Sequence, residues 1–285
     1  MKKLEFGDFE NNFTTWDNSQ VVILPVPFDA TSTWIKGADK GPAALLDASY
    51  NLEFYDIETD SEVYLRGIFT DLPLVVANSP ELMSGQVYDK VKSYIDAGKF
   101  AITLGGEHSV SIGTMQAHCE CYKDVTILQL DAHSDLRPDY HGSKYNHACV
   151  MSRAREMAPI LQVAIRSMDV CEKPYIDPER VFFAKDIYDN YNWIDTLCGK
   201  LTSNVYITID LDAFDSGIMP STGTPEPGGL DWWTALRLLK AVAKKANIVG
   251  FDIVELCPND HNKAPDFLAA KLLYKLLSYK YELVK

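Results

Sequence analysis

Six short apolar segments, separated by segments with helical patterns, constrain the fold of this 285-residue chain more than any other feature. Each is five to seven residues long and carries hydrophobic side chains at consecutive positions, as expected of strands that are buried on both faces. We predict strands at residues 21–26, 100–104, 125–130, 161–165, 205–209 and 248–254, and helices at 43–54, 80–97, 231–245 and 264–279. This alternation is typical of a parallel sheet covered by helices, and both an open three-layer sheet and a closed barrel fit it. In either fold the functional site lies at the carboxyl ends of the strands.

The net charge of the chain excludes some classes of binding partner. Lys and Arg number 27 against 40 Asp and Glu, which gives 27 − 40 = −13. Such a chain repels phosphate backbones and anionic lipid, so we expect neither a nucleic acid nor a membrane surface as a partner. A cationic small molecule suits it better.

Cysteine usage and the first residues bear on the compartment. No apolar run approaches the roughly 18 residues of a membrane span, and the first residues lack the apolar core of a signal peptide, so we expect neither feature. The six cysteines are scattered, which predicts reduced thiols and a cytoplasmic location. Cys119 and Cys121 stand beside His118 without a second pair of ligands, so we interpret them as an incidental group at a helix end.

Polar clusters directly follow three of the predicted strands. They are Gly-Gly-Glu-His-Ser at 105–109, Asp-Ala-His-Ser-Asp at 131–135 and Asp-Leu-Asp-Ala-Phe-Asp at 210–215. If the extended backbone continues past the strand, the alternating Asp131, His133 and Asp135 side chains point the same way, as do those of Asp210 and Asp212. His108 arrives from a third strand after two glycines that permit a tight turn.

Four aspartates and two histidines at one sheet edge predict a metal centre. Four converging carboxylates would raise one another's pKa values, whereas two divalent cations neutralise them. Carboxylates with a little imidazole favour Mn²⁺ over thiolate-binding metals. Two such ions about 3.5–4 Å apart activate water at neutral pH, so that no nucleophilic side chain is needed. No Gly-x-Ser-x-Gly sequence is present to provide one.

Together and in this order, the three clusters resemble the signatures of the ureohydrolase family, which includes arginases and agmatinases. The resemblance covers nearly the whole chain, so residues 1–285 are predicted to form one catalytic domain. It implies a three-layer α/β/α sandwich with a central, mostly parallel sheet of about eight strands. It also implies two Mn²⁺ ions per chain, hydrolysis of a small cationic guanidino compound to urea and an amine, and a homo-oligomer, either a trimer or a hexamer.

The resemblance also implies roles for individual residues. One ion would be held by His108, Asp131, Asp135 and Asp210, and the other by His133, Asp131, Asp210 and Asp212, with Asp131 and Asp210 as bridges. Among these ligands, Asp135 also counts as catalytic.

Two further residues have predicted roles outside the ligand set. Glu255 would pair with the substrate guanidinium, and His147 would contact substrate and transfer a proton. From the residues alone, His141 suits proton transfer nearly as well as His147. We expect His118 and His261 to be solvated.

Residues 222–229 and 136–151 look more like agmatinases than arginases, which predicts conversion of agmatine to putrescine and urea. Acidic Asp139 and Glu226 suit a dicationic substrate. Arg137 and Lys144 stand in the same stretch and leave arginine, guanidinobutyrate and formiminoglutamate open as substrates. A non-catalytic metal-binding regulatory protein and a single-zinc deacetylase are the competing classes, and the complete set of six ligands argues against both.

Overall fold

The computed structural model describes residues 4–283 and contains one sheet of eight parallel strands. The order across the sheet is β2-β1-β3-β8-β7-β4-β5-β6. The strands are β1 (Val21–Val26), β2 (Ile68–Thr70), β3 (Phe100–Gly105), β4 (Val125–Leu130), β5 (Ile160–Ile165), β6 (Val181–Phe183), β7 (Asn204–Asp210) and β8 (Asn247–Val254). All six predicted strands are present. The two additional ones are edge strands of three residues each, too short for a hydrophobic pattern to reveal. Because the sheet has two open edges, the barrel alternative is excluded and the eight-stranded parallel fold is confirmed.

Helices cover both faces of the sheet. Their bounds are α1 (Gly41–Ser49), α2 (Pro80–Asp96), α3 (Val110–Cys121), α4 (Val150–Met157), α5 (Ala184–Ile187), α6 (Asn192–Cys198), α7 (Trp232–Lys245) and α8 (Ala264–Glu282). Helices α2, α3 and α4 pack together on one face, and α1, α6, α7 and α8 on the other. Within β1, Val21 and Ile23 belong to one core and Val22 and Leu24 to the other, which is why the strand is apolar throughout. None of the helices in the described region has the length and hydrophobicity needed to cross a bilayer.

The helix predictions differ from the structure in length at the first helix and in missing α3, α4, α5 and α6. The first helix ends at Ser49, earlier than the predicted 43–54. Helix α3 was not predicted because it is buried on most sides, from Val110 to His118, and therefore lacks an amphipathic pattern. The expectation that His118 is solvated is wrong, since its side chain is buried and its Nδ1 lies 2.8 Å from the Thr114 carbonyl oxygen.

The strand order brings distant parts of the chain to one edge. Strands β3, β8, β7 and β4 are consecutive neighbours in the sheet, although β3 and β8 are separated by about 150 residues in the sequence. Their carboxyl ends deliver the segments that begin at Gly105, Glu255, Asp210 and Asp131. Every polar cluster identified in the sequence therefore emerges at the same place.

Gly106 allows the close approach that closes this edge. Its N–H donates to the Val26 carbonyl (2.9 Å), and its carbonyl accepts from the N–H of Glu255 (2.8 Å). A Cβ atom at Gly106 would lie 2.0 Å from the carbonyl oxygen of Phe28. Only a residue without a side chain fits between these three strands.

We expect Gly106→Ala to lower the free energy of unfolding by about 1–3 kcal/mol or more, because the added methyl group would clash with main-chain atoms that cannot easily move. Gly85→Ala is the matched control, since nothing lies within 4 Å of a Cβ at Gly85 in helix α2. That variant should be as stable as the parent chain or more so, by up to about 1 kcal/mol. Urea denaturation midpoints measure both, and equal midpoints for the two variants would contradict the close-approach argument.

Candidate metal centre and substrate cavity

Histidine and aspartate side chains converge on two adjacent points at the edge formed by β3, β8, β7 and β4. The first group surrounds His108, whose Nδ1 lies 3.1 Å from Asp131 Oδ2, 3.0 Å from Asp135 Oδ2 and 3.4 Å from Asp210 Oδ2. The second surrounds His133, whose Nδ1 lies 2.9 Å from Asp212 Oδ2 and 3.6 Å from Asp131 Oδ1. Two clusters with metal-ligand spacing result, His108–Asp131–Asp135 and Asp131–His133–Asp212. All six predicted ligands therefore lie together.

Asp131 belongs to both clusters and directs one carboxylate oxygen toward each imidazole. This is the arrangement that a bridging ligand needs. Asp210 has a different environment, because its Oδ2 faces His108 while its Oδ1 accepts the N–H of Asp212 (2.9 Å). The predicted bridging role of Asp210 stays a prediction.

The backbone does not bring these side chains together in the predicted way. Strand β4 ends at Leu130, and Asp135 has a left-handed φ of 51° instead of an extended conformation. Asp131 Oδ1 accepts the N–H of His133 (2.6 Å), which closes a tight turn. In the second segment, a 3₁₀ turn begins directly after Asp210. Side-chain capping of turns, not strand alternation, produces the convergence.

A hydrogen-bonded chain behind His108 sets the orientation of its ring. The His108 Nε2 lies 2.9 Å from Thr208 Oγ1, and that hydroxyl donates to Asp252 Oδ1 (2.7 Å). Because the hydroxyl proton is committed to Asp252, the Thr208 oxygen accepts the proton of Nε2–H. The lone pair of Nδ1 then faces the three aspartates, and Nδ1 is buried without a hydrogen-bond partner. An unpartnered imidazole nitrogen aimed at carboxylates fits a divalent metal ion.

The pKa shifts confirm that this edge needs positive charge. Burial and the charge of Asp131 raise the pKa of Asp135 to about 7. Burial and the charges of Asp212 and Asp131 raise that of Asp210 well above its ordinary value. Although burial opposes it, the charges of Asp212 and Asp131 raise the pKa of His133 to about 12. The raised pKa values of Asp135 and Asp210 fit a site that binds a cation.

A cavity of about 290 Å³ opens onto the ligands and contains most of the other predicted site residues. Glu255 and His147 line it together with Thr33, Arg137, Tyr140, Asp169 and Thr224. Glu255 is in a left-handed conformation (φ 65°), and its Oε1 accepts the N–H of His108 (2.8 Å). The carboxylate is thereby fixed next to the first cluster.

The cavity distinguishes between the two candidate histidines. The Nδ1 of His147 lies 3.0 Å from Thr31 Oγ1, and the ring borders the cavity. His141 is exposed, packs against the ring of Tyr140 and does not line this cavity. The geometry therefore favours His147 for any role in the cavity.

The charged residues considered for substrate recognition also differ in whether they line the cavity. Arg137 lines the cavity, but its guanidinium lies 3.4 Å from Asp169 and stacks over Tyr140 at 4.5 Å. Asp139 and Lys144 are exposed and do not line it. Glu226 does not line the cavity either, but its Oε1 lies 3.9 Å from Nε2 of His133, which does.

Several residues that organise the site were not identified from the sequence. Thr31 and Thr33 follow β1, so the rule applied to three other strands would have found them. Thr208 and Asp252 interrupt apolar strands, and a polar residue within a buried strand is the signal that could have identified them. The role of Arg166 described below has no signal in the sequence.

We expect Thr208→Val to weaken the binding of the ion nearest His108 by about 10–100-fold, the usual effect of removing a hydrogen-bond partner of a metal ligand. The change preserves shape but leaves His108 Nε2 and Asp252 without their shared hydroxyl. Thr126→Val is the control, since the Thr126 hydroxyl is buried in β4 and bonds Thr202 instead (2.7 Å). Competition with a Mn²⁺-binding dye gives the affinities, and equal values for the two variants would rule out the orienting role.

Comparisons with known proteins identify related chains. The family model described as the arginase family matches residues 19–278. The N(1)-aminopropylagmatine ureohydrolase of Synechocystis sp. is 38% identical over 277 residues, which cover 93% of this chain and 90% of that protein. The protein of the same name from Thermus thermophilus is 37% identical over 282 residues, 98% of this chain and 95% of that one.

Among solved structures, the agmatine ureohydrolase of Thermoplasma volcanium superposes with a TM-score of 0.87 at 32% identity, covering 99% of this chain and 96% of that one. The match spans the complete sheet and both helical layers. The chain belongs to the arginase family and is a hydrolase of the C–N bonds of linear amidines.

Proposed function

We propose that the protein hydrolyses the guanidino group of agmatine, giving urea and putrescine, with two Mn²⁺ ions bound by His108, Asp131, His133, Asp135, Asp210 and Asp212. The observation that carries the proposal is Asp131, which directs one oxygen to each of two histidine clusters at the floor of a cavity that also contains Glu255. When bound, the metal pair supplies the Lewis acidity that activates water at neutral pH.

Glu255 recognises the guanidinium in this proposal. Burial and the nearby charge of Glu107 raise the pKa of Glu255 well above its ordinary value, so the cavity contains an acid without a counter-charge. A planar, permanently charged guanidinium provides that counter-charge and presents paired N–H donors to a carboxylate. The N–H of His108 fixes Oε1 of Glu255, so the bound group is held beside the metal ligands.

His147 moves protons in this proposal. The main-chain N–H of His147 donates to Thr31 Oγ1 (3.1 Å), and the same hydroxyl lies 3.0 Å from the ring nitrogen Nδ1. Burial, aided by nearby positive charges, lowers the pKa of His147 to about 4. The imidazole is therefore neutral at physiological pH, and in this proposal it is protonated only transiently while it passes a proton from the attacking water to the leaving amine.

The cavity mouth supports a substrate that ends in an amine and not in a carboxylate. The one guanidinium there, on Arg137, is already paired with Asp169. Glu226 places a carboxylate 3.9 Å from His133, which lines the cavity. A carboxylated substrate would find no unpaired cation among these residues, whereas an ammonium group meets acidic side chains.

N(1)-aminopropylagmatine is the second candidate substrate. The two relatives at 38% and 37% identity carry that name, and this compound is agmatine that carries one additional aminopropyl group. The guanidino end is the same in both, so the roles of Glu255 and His147 are unchanged. The two differ only in the group that reaches the mouth.

We further propose a cytoplasmic homo-oligomer. All six cysteines are free. Ile57, Trp233 and Phe267 are exposed around one apolar groove, which supports association with a second copy of the chain. Light scattering of the purified protein measures the assembly.

A panel of substrates tests the proposed function. Urea release should give kcat/KM values for agmatine and N(1)-aminopropylagmatine that exceed those for arginine and 4-guanidinobutyrate, because the mouth offers acid and no unpaired base. If a carboxylated substrate is preferred, the argument from the Arg137–Asp169 pair fails. If no compound yields urea after Mn²⁺ loading, the proposed function itself is wrong.

We expect Glu255→Gln to reduce kcat/KM by at least about 10²-fold while two metal ions stay bound, because a buried guanidinium would lose its charge partner. Glu179→Gln at an exposed position, where Glu179 lies 3.8 Å from Lys200, is the control and should behave as the parent chain. Near-parental kcat/KM in Glu255→Gln would place guanidinium recognition elsewhere.

A further inference from the structure

Arg166 is surrounded by main-chain carbonyl oxygens. It follows strand β5 directly, and its guanidinium donates to five of them. The distances are 2.9 Å to Pro227, 3.0 Å to Ala164, 2.6 Å to Asp212, 3.3 Å to Phe214 and 2.9 Å to Glu226. The acceptors belong to three segments that are separate in the sequence: Ala164 in strand β5, the turn at Asp212 and Phe214 after β7, and the loop at Glu226 and Pro227.

These contacts close a ring through a metal-ligand segment. Asp212 Oδ1 accepts the N–H of Ala132 (3.0 Å), the Ala132 carbonyl accepts the N–H of Arg166 (2.8 Å), and Arg166 Nη2 donates to the Asp212 carbonyl (2.6 Å). Ala132 stands between Asp131 and His133. Residue 166 therefore joins the two segments that carry the second cluster, through its main-chain N–H on the Ala132 side and through its guanidinium on the Asp212 side.

The local backbone directs Arg166 to this point. The pairing of β5 with β6 shifts register between Val163 and Ile165, and Ala164 there has a left-handed φ of 73°. Such a bulge re-aims the residues that follow it. A strained conformation at a non-glycine residue persists only where its surroundings enforce it, and Arg166 Nη1 bonds the Ala164 carbonyl itself.

We propose that Arg166 is a positioning residue that holds Asp212, and through it the Asp131–His133–Asp212 cluster, in the geometry required for the second metal ion. The inference rests on the binuclear centre of the proposed function. The Arg166 guanidinium hydrogen-bonds the Asp212 carbonyl but none of His108, Asp135 and Asp210, so we expect its main effect on the ion that Asp212 helps to hold.

Arg166→Lys tests this role because lysine retains the charge but cannot reach five acceptors in three directions. We expect the second Mn²⁺ ion to bind about 10–100-fold more weakly while the first binds as in the parent chain. Titration monitored by the electron paramagnetic resonance signal of free Mn²⁺ resolves the two events and requires no turnover. Arg155→Lys, in which the lost contact is stacking over Tyr175 at 5.0 Å, is the matched control and should bind both ions normally.

Gly229→Ala provides a second test that leaves the guanidinium intact. A Cβ there would lie 2.5 Å from the carbonyl carbon of Phe214 and 2.6 Å from the carbonyl oxygen of Ala213, so it pushes apart the two segments that Arg166 joins. We expect the same selective loss of the second ion. Circular dichroism shows whether Arg166→Lys folds. If it does not, Gly229→Ala is the variant that tests the positioning role.

The outcomes separate the inference from the proposed function. Two ions of unchanged affinity in folded Arg166→Lys would overturn the positioning role alone, and so would equal weakening of both ions, which indicates general destabilisation. Fewer than two ions in the parent chain would overturn the binuclear centre and this inference with it. A selective loss of one ion supports the inference even if no guanidino compound is hydrolysed.

Discussion

Mutual repulsion of four aspartates, buried together where β3, β8, β7 and β4 end, is the constraint around which the rest of the site is organised. Main-chain N–H groups offset part of it: His133 donates to Asp131, Asp212 donates to Asp210 and Ala132 donates to Asp212. These bonds leave each carboxylate with oxygens that still face the histidines. The remaining negative charge requires cations, and the shared position of Asp131 explains why two can be held close together.

The same charge distribution shapes substrate choice. Glu107 and Glu255 add two more acids beside the ligands, and burial raises the pKa of both. A guanidinium enters such a cavity as the missing counter-charge. Arg137 does not oppose this, because Asp169 pairs with it at 3.4 Å and Tyr140 lies under its guanidinium. In the proposed function, selectivity among guanidino substrates follows from which charges are already paired.

Much of the fold and of the ligand set could be predicted from the sequence, because buried parallel strands and the polar residues that follow them leave local patterns. The reason given for convergence was wrong, however: strand alternation does not continue to Asp135, whose φ is 51°. Edge strands of three residues and the buried helix α3 leave no periodic signal. His118 was misjudged because burial depends on β8 packing, where Gly250 makes room for its ring. Arg166 could not be identified at all, since its partners are carbonyl groups, which every residue has.

The central claim is that Asp131 joins two metal ions in one centre, and electron paramagnetic resonance of the Mn²⁺-saturated protein tests it most directly. Two Mn²⁺ ions about 3.5–4 Å apart and sharing a carboxylate interact magnetically. The account predicts two ions bound per chain and a broad, exchange-coupled spectrum that Asp131→Asn converts into that of isolated ions. A simple six-line spectrum at saturation in the parent chain, or a coupled spectrum that survives Asp131→Asn, would contradict it.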